Sequence, residues 1–563
     1  MRSMLMAGVA FLAMAGPVLA QEVSLSTDNI SEHIRILADD SFMGRLPGTE
    51  GETKTLEYLT AQYSALGLEP GAADGSWLQP VDLLSFLPAQ PAEVVIANGD
   101  ERRVLESRAI RVSTGQPSGE ANVVNAPLVF VGYGIHAPGL GWDDLAGADL
   151  TGKIVVYLAG EPDDRSESGL FVGRERTNYG RSGTKNASFL ARGAVGAISL
   201  PAVTPPAAPV VATPAAAPAA APASAAPAAP AAPAPPPAPR PYIRLKSDAP
   251  QLQFSGQMGF AAASDLFGIQ GLDLSALQSQ AASGPMKAQG IGGARMSVRI
   301  DYEVTPLRSY NFVARLPGTT RPDETVLFSA HWDHVGTSPT PDANGDTIFN
   351  GAWDNASGTG ALIEIARMFA AGPRPERSIV FLSVTAEESG LLGSQWYAEH
   401  PIYPLGTTAA NFNIDMIPMT TETRDVEIIG YGKSTLEDDL VALLTADGRV
   451  AVPDTHPEEG YYYRSDHVSF AEKGVPALNF DGGSDLVTGG RAVGVPELER
   501  LNETYYHQRA DEWRPDMNLG AARQNLTLFY VLARDLANSD RWPEWKPGVD
   551  FGVIRDQTAD QRR

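Results

Sequence analysis

ASGTGALIEIARMFAAGPRPERSIVFLSVTA, residues 356–386, carries the reading of the fold. Its first half reads as a helix that Gly372-Pro373 ends, because a proline cannot continue a helical ladder. Its second half, RSIVFLSVT, is a short apolar run of the kind that forms a strand buried on both faces. The same alternation extends outward from about Ser297. TVLFSA (325–330), AANFNID (409–415), DVEIIGYG (425–432) and VPALNFDGG (475–483) read as strands, and LGAARQNLTLFYVLARDLAN (519–538) as a closing helix. Strands interleaved with helices predict an α/β fold, a mixed and largely parallel sheet covered by helices. In such a fold the functional site lies beyond the carboxyl ends of the strands.

Upstream, residues 28–66 read as two helices separated by the turn-rich GRLPGTEG, with Asn29 or Ser31 as candidate caps of the first. From about Asn122 the texture changes. APLVFVGYG, GKIVVYLAG and VGAISL are short apolar runs bounded by Gly and Pro, which predicts a β-rich domain inserted between two parts of another. We therefore divide the chain into 21–118 (first part of the main domain), 119–292 (insertion), 293–545 (main domain) and 546–563 (tail). Within the insertion, residues 201–241 are almost wholly Ala and Pro, a composition that can neither hold regular structure nor build a core, and read as a disordered surface excursion.

Composition narrows the function. The 563 residues exceed one ordinary core. A formal net charge of -24 repels nucleic acid and anionic membrane, so neither is an expected partner. With no cysteine in the chain, any metal must be held by His, Asp and Glu. Arg2, the apolar LMAGVAFLAMAG and Val18-Leu19-Ala20 make residues 1–20 read as a secretory signal, hence export, most simply to a bacterial periplasm. No later run approaches the ~20 apolar residues of a membrane helix.

Five residues carry chemistry at abrupt strand ends. His331 follows TVLFSA, and Asp333, two residues on, can steady its ring. Asp354 sits in NGAWDNASG, where a plain helix cap is the competing explanation. Glu387 and Glu388 are adjacent, so their side chains diverge; one can take a metal while the other faces a water. Asp415 ends NFNID within an apolar run, where an unpaired carboxylate would be costly. His507 lies in ETYYHQRAD before the last helix. His334 is a rival to His331, and His467, in RSDH, competes with His507; local sequence leaves these last two tied.

AHWDH, GAWDNASG, TAEESGLLGS, NIDM and YYHQRADE, in that order, closely resemble the motifs of the M28 family of zinc aminopeptidases. The resemblance spans about Thr27 to Pro91 and Ser297 to Asn538, and FVGYGIHAPGLGWDDLAG with GKIVVYLAG resembles the protease-associated (PA) domain inserted in many members. It implies a zinc-exopeptidase-like fold and two zinc ions. Asp354 would bridge them, His331 and Asp415 completing one site, Glu388 and His507 the other. It favours Tyr506-His507-Gln508 over His467, and implies Glu387 as general base, Asp333 as the residue orienting His331 and Tyr506 as a carbonyl-polarising tyrosine, with Arg464 and Asp466 nearby. The expected substrates are peptides with a free N-terminus. Other exopeptidase or carboxypeptidase action, glutaminyl cyclisation and a non-catalytic binding module on the same fold are the alternatives. Zinc itself follows from the resemblance, since manganese or cobalt suits the same N/O donors.

Overall fold

The computed structural model describes residues 24–162, 171, 176–202 and 241–562. The leader-like residues 1–20 and all but the ends of the Ala/Pro tract lie outside them. Among the described residues no helix is long and apolar enough to cross a membrane.

The main sheet is built on four strands in the order Ala477–Leu478, Thr408–Asn413, Arg321–His331, Arg377–Val384, all parallel. The long strand Gln289–Leu316 then pairs antiparallel to Arg377–Val384, and Leu78–Pro88 antiparallel to it. The sheet is therefore mixed, with a parallel centre, and the all-buried pattern of Arg377–Val384 agrees with its place inside it. Helices Thr27–Leu37, Glu50–Ala65, Ser357–Ala371 and Gly520–Ala537 pack their apolar faces into one core with these strands. Both N-terminal helices fall where the apolar spacing placed them. The cap of the first is Ser26, however, whose side chain accepts from the Asn29 N–H, rather than Asn29 or Ser31.

A second sheet holds Glu120–Phe130, Ile154–Leu158, Gly196–Leu200 and Phe254–Met258, neighbours that pair parallel, with a core of its own. The two sheets share one strand. Residues 289–301 of Gln289–Leu316 pair with Glu120–Phe130 and Glu93–Asn98, and residues 302–316 with the main sheet. The chain passes from one sheet to the other as extended backbone, so no flexible linker separates them at this point. Past residue 545, Phe551 is buried against Trp545, and the buried Arg555 donates to the Thr408 carbonyl (3.0 Å).

Three phenylalanines set the register of the parallel centre. Phe328 lies opposite Phe381 on one neighbour and Phe412 on the other, with ring centres 5.5 Å apart in each case. That register puts Ser329 opposite Asn413 and His331 opposite Val384. The turns carrying His331, Glu387 and Asp415 consequently leave the sheet at one level. Phe328→Ala empties a site walled on both sides and is expected to cost about 3–5 kcal/mol, read as a lowered chemical-denaturation midpoint. A loss under ~1 kcal/mol would show that the stack does not hold the register.

Candidate metal centre

Because adjacent strands lie ~4.8 Å apart, the shared level brings the strand-end side chains together. His331 Nε2 is 3.1 Å from Asp415 Oδ1 and 3.3 Å from Asp354 Oδ1. On the other side of Asp354, its Oδ2 is 3.1 Å from His507 Nε2, which is also 3.1 Å from Glu388 Oε2. Glu387 Oε2 approaches His331 Nε2 to 4.0 Å. All five candidate ligands and Glu387 thus meet in one place. His331, Asp354, Glu387, Glu388 and Asp415 are largely buried, whereas the His507 side chain is 40% exposed, so the centre opens to solvent on that side.

The backbone is bent to achieve this. Ala386, Met416 and His507 are non-glycine residues with φ of 52°, 63° and 54°. Left-handed backbone costs roughly 1–2 kcal/mol for an ordinary L-residue, and here it occurs at or beside Glu387, Asp415 and His507. Such strain is retained where the surrounding structure over-determines it.

Local bonds fix each donor. Asp511, fully buried, accepts the N–H groups of Trp353 (2.8 Å) and Asp354 (3.1 Å) on its two carboxylate oxygens. The Asn355 side chain accepts from Gly358 (2.8 Å) and Met416 (3.1 Å), tying the Asp354 turn to the Asp415 turn. Thr359 donates to the His331 carbonyl (2.9 Å). Asp333 is placed differently from a simple ring-orienting partner. Its carboxylate accepts the Glu387 N–H (3.0 Å) and stands 3.8 Å from His331 Nδ1, which instead meets the Asp333 carbonyl at 3.2 Å. Asp333 therefore joins the His331 and Glu387 turns as well as flanking the imidazole.

Two histidines stand at the Glu388 side. His334, fully buried, lies with Nδ1 2.6 Å from Glu388 Oε1 and groups with Asp354 and Glu388 closely enough to share an ion. His507 reaches the same two carboxylates from the solvent side. His467 does not join them: its buried ring packs on Tyr462 (4.6 Å), and burial pushes its pKa down to about 3, which keeps it neutral. Tyr506 stacks on His507 (4.0 Å), and its hydroxyl accepts from Arg464 (3.3 Å). Asp466 is buried close by, its pKa pushed up to about 7 by burial against the pull of His331.

The residue that sequence reading missed is Arg45. It lies in the turn-rich GRLPGTEG, is 1% exposed, and donates to the carbonyls of Trp332 (2.9 Å), Leu37 (2.8 Å), Asn350 (2.6 Å) and Gly351 (2.8 Å). Burial lowers its pKa to about 10, with Asp511, Asp354, Asp333 and Glu388 opposing, so it stays charged. It pins the segments that follow His331 and precede Asp354 with one guanidinium. Nothing in a linear motif marks it, since its partners are backbone carbonyls.

Electrostatics match the donors to a cation. Burial alone would depress the His331 pKa, yet Glu387, Asp415 and Asp354 carry it well above the ordinary value. Asp354 and Glu388 hold His507 up to about 10. A dication bound there would take the place of the protons that these carboxylates hold on the two imidazoles, because metal ligands must be deprotonated. The donors are all N and O, in the groups His331–Asp354–Asp415 and His334–Asp354–Glu388, with His507 on the second.

Residues 311–531 match Peptidase family M28, and every site residue read from the sequence lies in that stretch, while Arg45 lies outside it. The chain is 30% identical over 196 residues to Aminopeptidase YwaD of Bacillus subtilis (strain 168), covering 35% of this chain and 37% of that protein. It is 37% identical over 141 residues to a probable zinc metalloprotease of Pyrenophora tritici-repentis (strain Pt-1C-BFP), covering 24% and 32%. The matched part thus spans about a third of the length of these curated relatives. Among solved structures, the aminopeptidase from Aneurinibacillus sp. strain AM-1 aligns over 93% of this chain and 95% of that one, at 19% identity and a TM-score of 0.48.

His507→Ala is expected to lower metal retention more than His467→Ala, measured as ions per chain after dialysis; the reverse order would overturn the placement of His507. Arg45→Met takes a donor from four buried carbonyls, of which that of Gly351 keeps the Ala356 N–H (3.1 Å), and removes a charge that offsets carboxylates. It is expected to cost about 3–5 kcal/mol, seen as a lower denaturation midpoint. A variant as stable as the parent would show that Arg45 does not hold the two segments.

Proposed function

We propose that this chain is an exported zinc aminopeptidase of the M28 type, removing N-terminal residues from peptides with two zinc ions. The observation that carries the reading is the position of Asp354. Its two carboxylate oxygens face opposite ways, one toward His331 beside Asp415, the other toward His507 beside Glu388. His331, Asp354 and Asp415 would hold one ion, and Asp354, Glu388 and His507 the other, with His334 steadying Glu388 from within. Bound there, the ions would supply Lewis acidity toward a peptide carbonyl and lower the pKa of a bound water.

The protein's own groups do the rest. Glu387 stands beside this set without belonging to either ligand group, which suits a general base that takes the proton of the attacking water and returns it to the leaving amine. The Tyr506 hydroxyl would donate to the carbonyl oxygen as it becomes an oxyanion; the stacking of its ring on His507 and its bond to Arg464 support that role. The surplus of carboxylates suits the α-ammonium of a free N-terminus, which favours exopeptidase action. The leader-like first twenty residues support export, and the second sheet corresponds to residues read as a PA-type insertion.

Aminoacyl-nitroanilides, N-blocked peptides and N-terminal Gln peptides, assayed with added zinc, separate the alternatives. Cleavage confined to blocked peptides sinks the aminopeptidase reading, and cyclisation of N-terminal Gln would replace it. Glu387→Gln is expected to keep its metal and lose about 10²–10⁴-fold in turnover; unchanged turnover removes Glu387 as the base.

A further inference from the structure

Residues 457–464 cross from the second sheet to the metal centre. Two arginines distant in sequence hold them, Arg176 at the first residues of the segment and Arg181 beside Tyr463. Arg176 gives its N–H to the Pro457 carbonyl (3.3 Å) and its Nε–H to the Glu458 carbonyl (2.8 Å). Its side chain lies along Gly460, where a Cβ would come within 3.2 Å of Arg176 Cγ and where φ is +69°. The left-handed backbone favours glycine there, and an added Cβ would crowd the arginine stem. Arg181 forms an ion pair with Glu472, just past the helix His467–Ala471, and its guanidinium stands 5.6 Å from the Tyr463 ring centre. Both arginines come from the connection between Ile154–Leu158 and Gly196–Leu200 of the second sheet. Next to Tyr463, Arg464 reaches the Tyr506 hydroxyl and stands 5.2 Å from the Tyr461 ring centre.

Arg464 is exposed. A free arginine side chain samples many rotamers, and a single hydrogen bond holds it only weakly. Its placement against Tyr506 depends on the backbone beneath it and on the Tyr461 ring beside it, both of which belong to this segment. Tyr462, buried between His467 and Phe551, anchors the middle of the segment; Arg176 holds the outer turn, and Arg181 braces Tyr463 and the following helix.

We propose that Arg176 and Arg181 are positioning residues for the reaction. By fastening residues 457–464 to the second sheet, they hold Arg464 on the Tyr506 hydroxyl and so make turnover depend on the inserted region. This rests on the peptidase reading above.

The test uses the full chain loaded with zinc. In Arg176→Ala/Arg181→Ala, amide hydrogen exchange over residues 457–464 is expected to rise. kcat on an aminoacyl-nitroanilide is expected to fall about tenfold, well inside the loss that a displacement of about 1 Å can cause, with KM and zinc content near those of the parent. The same pair of changes in a Tyr506→Phe background is expected to add no further loss, because the effect passes through that hydroxyl; a merely structural defect would multiply with it. Should the double variant fold poorly, Arg181→Glu alone and Arg181→Glu with Glu472→Arg replace it, the second recovering the rate that the first loses. Unchanged exchange, full additivity with Tyr506→Phe, or no recovery on charge reversal overturns the proposal. If the parent hydrolyses no peptide or aminoacyl substrate with zinc bound, the peptidase reading itself fails, and the exchange measurement alone judges whether the arginines fasten the segment.

Discussion

Asp354, Glu387, Glu388 and Asp415 are crowded into one largely buried place, and their mutual repulsion is the constraint around which the main domain is arranged. Two like charges ~4 Å apart repel by about 4 kcal/mol at the dielectric of a protein surface. Such a cluster survives only if cations and N–H donors converge on it. His331 and His507 face the carboxylates directly, and Arg45 sits behind them with its charge retained and its hydrogens spent on backbone carbonyls. Asp511 grips the Asp354 turn through its N–H groups and leaves the Asp354 carboxylate free to face both ways. The donors are thus held by bonds to backbone, which keeps their side-chain atoms available for ions.

The sheet supplies the common level and the turns supply the aim. Parallel pairing of Arg321–His331 with Arg377–Val384 and Thr408–Asn413 lines up the strand ends, and the stacked phenylalanines keep them from slipping. A strand continuing straight would carry its next side chains alternately to opposite faces. Left-handed residues at 386, 416 and 507 break that alternation and turn the acids and the second imidazole inward. Asp333 and Asn355 then tie neighbouring turns to one another, so that displacing one donor strains the others.

Around this centre the chain builds a second sheet that shares the strand Gln289–Leu316 with the first. A shared strand transmits position better than a flexible linker. It makes physical sense that residues from the second sheet, Arg176 and Arg181, reach back to a turn at the edge of the metal centre.

The sequence alone determined the α/β class and the strand-to-helix alternation, because buried strands and capped helices leave a short-range record of apolar spacing and Gly/Pro breaks. It determined the donor types as well: without cysteine, only His, Asp and Glu remain; His331, Glu388 and Asp415 do stand at or just past strand ends, whereas Asp354 lies in the turn before the helix Ser357–Ala371 and His507 just after the helix Arg491–Tyr505. It left His507 and His467 tied, since both sit in short polar stretches of sequence; the family resemblance favoured His507, and packing buries His467 against Tyr462, away from the carboxylates. Only the tertiary structure brought in Arg45 and Asp511, and it set His334, weighed in the sequence as a rival to His331, against Glu388 instead. Arg45 and Asp511 act through backbone groups contributed by segments far apart in sequence, and such contacts leave no periodicity or motif. The strand that joins the two sheets was equally invisible, because where extended chain changes partners depends on which strands come to lie beside it.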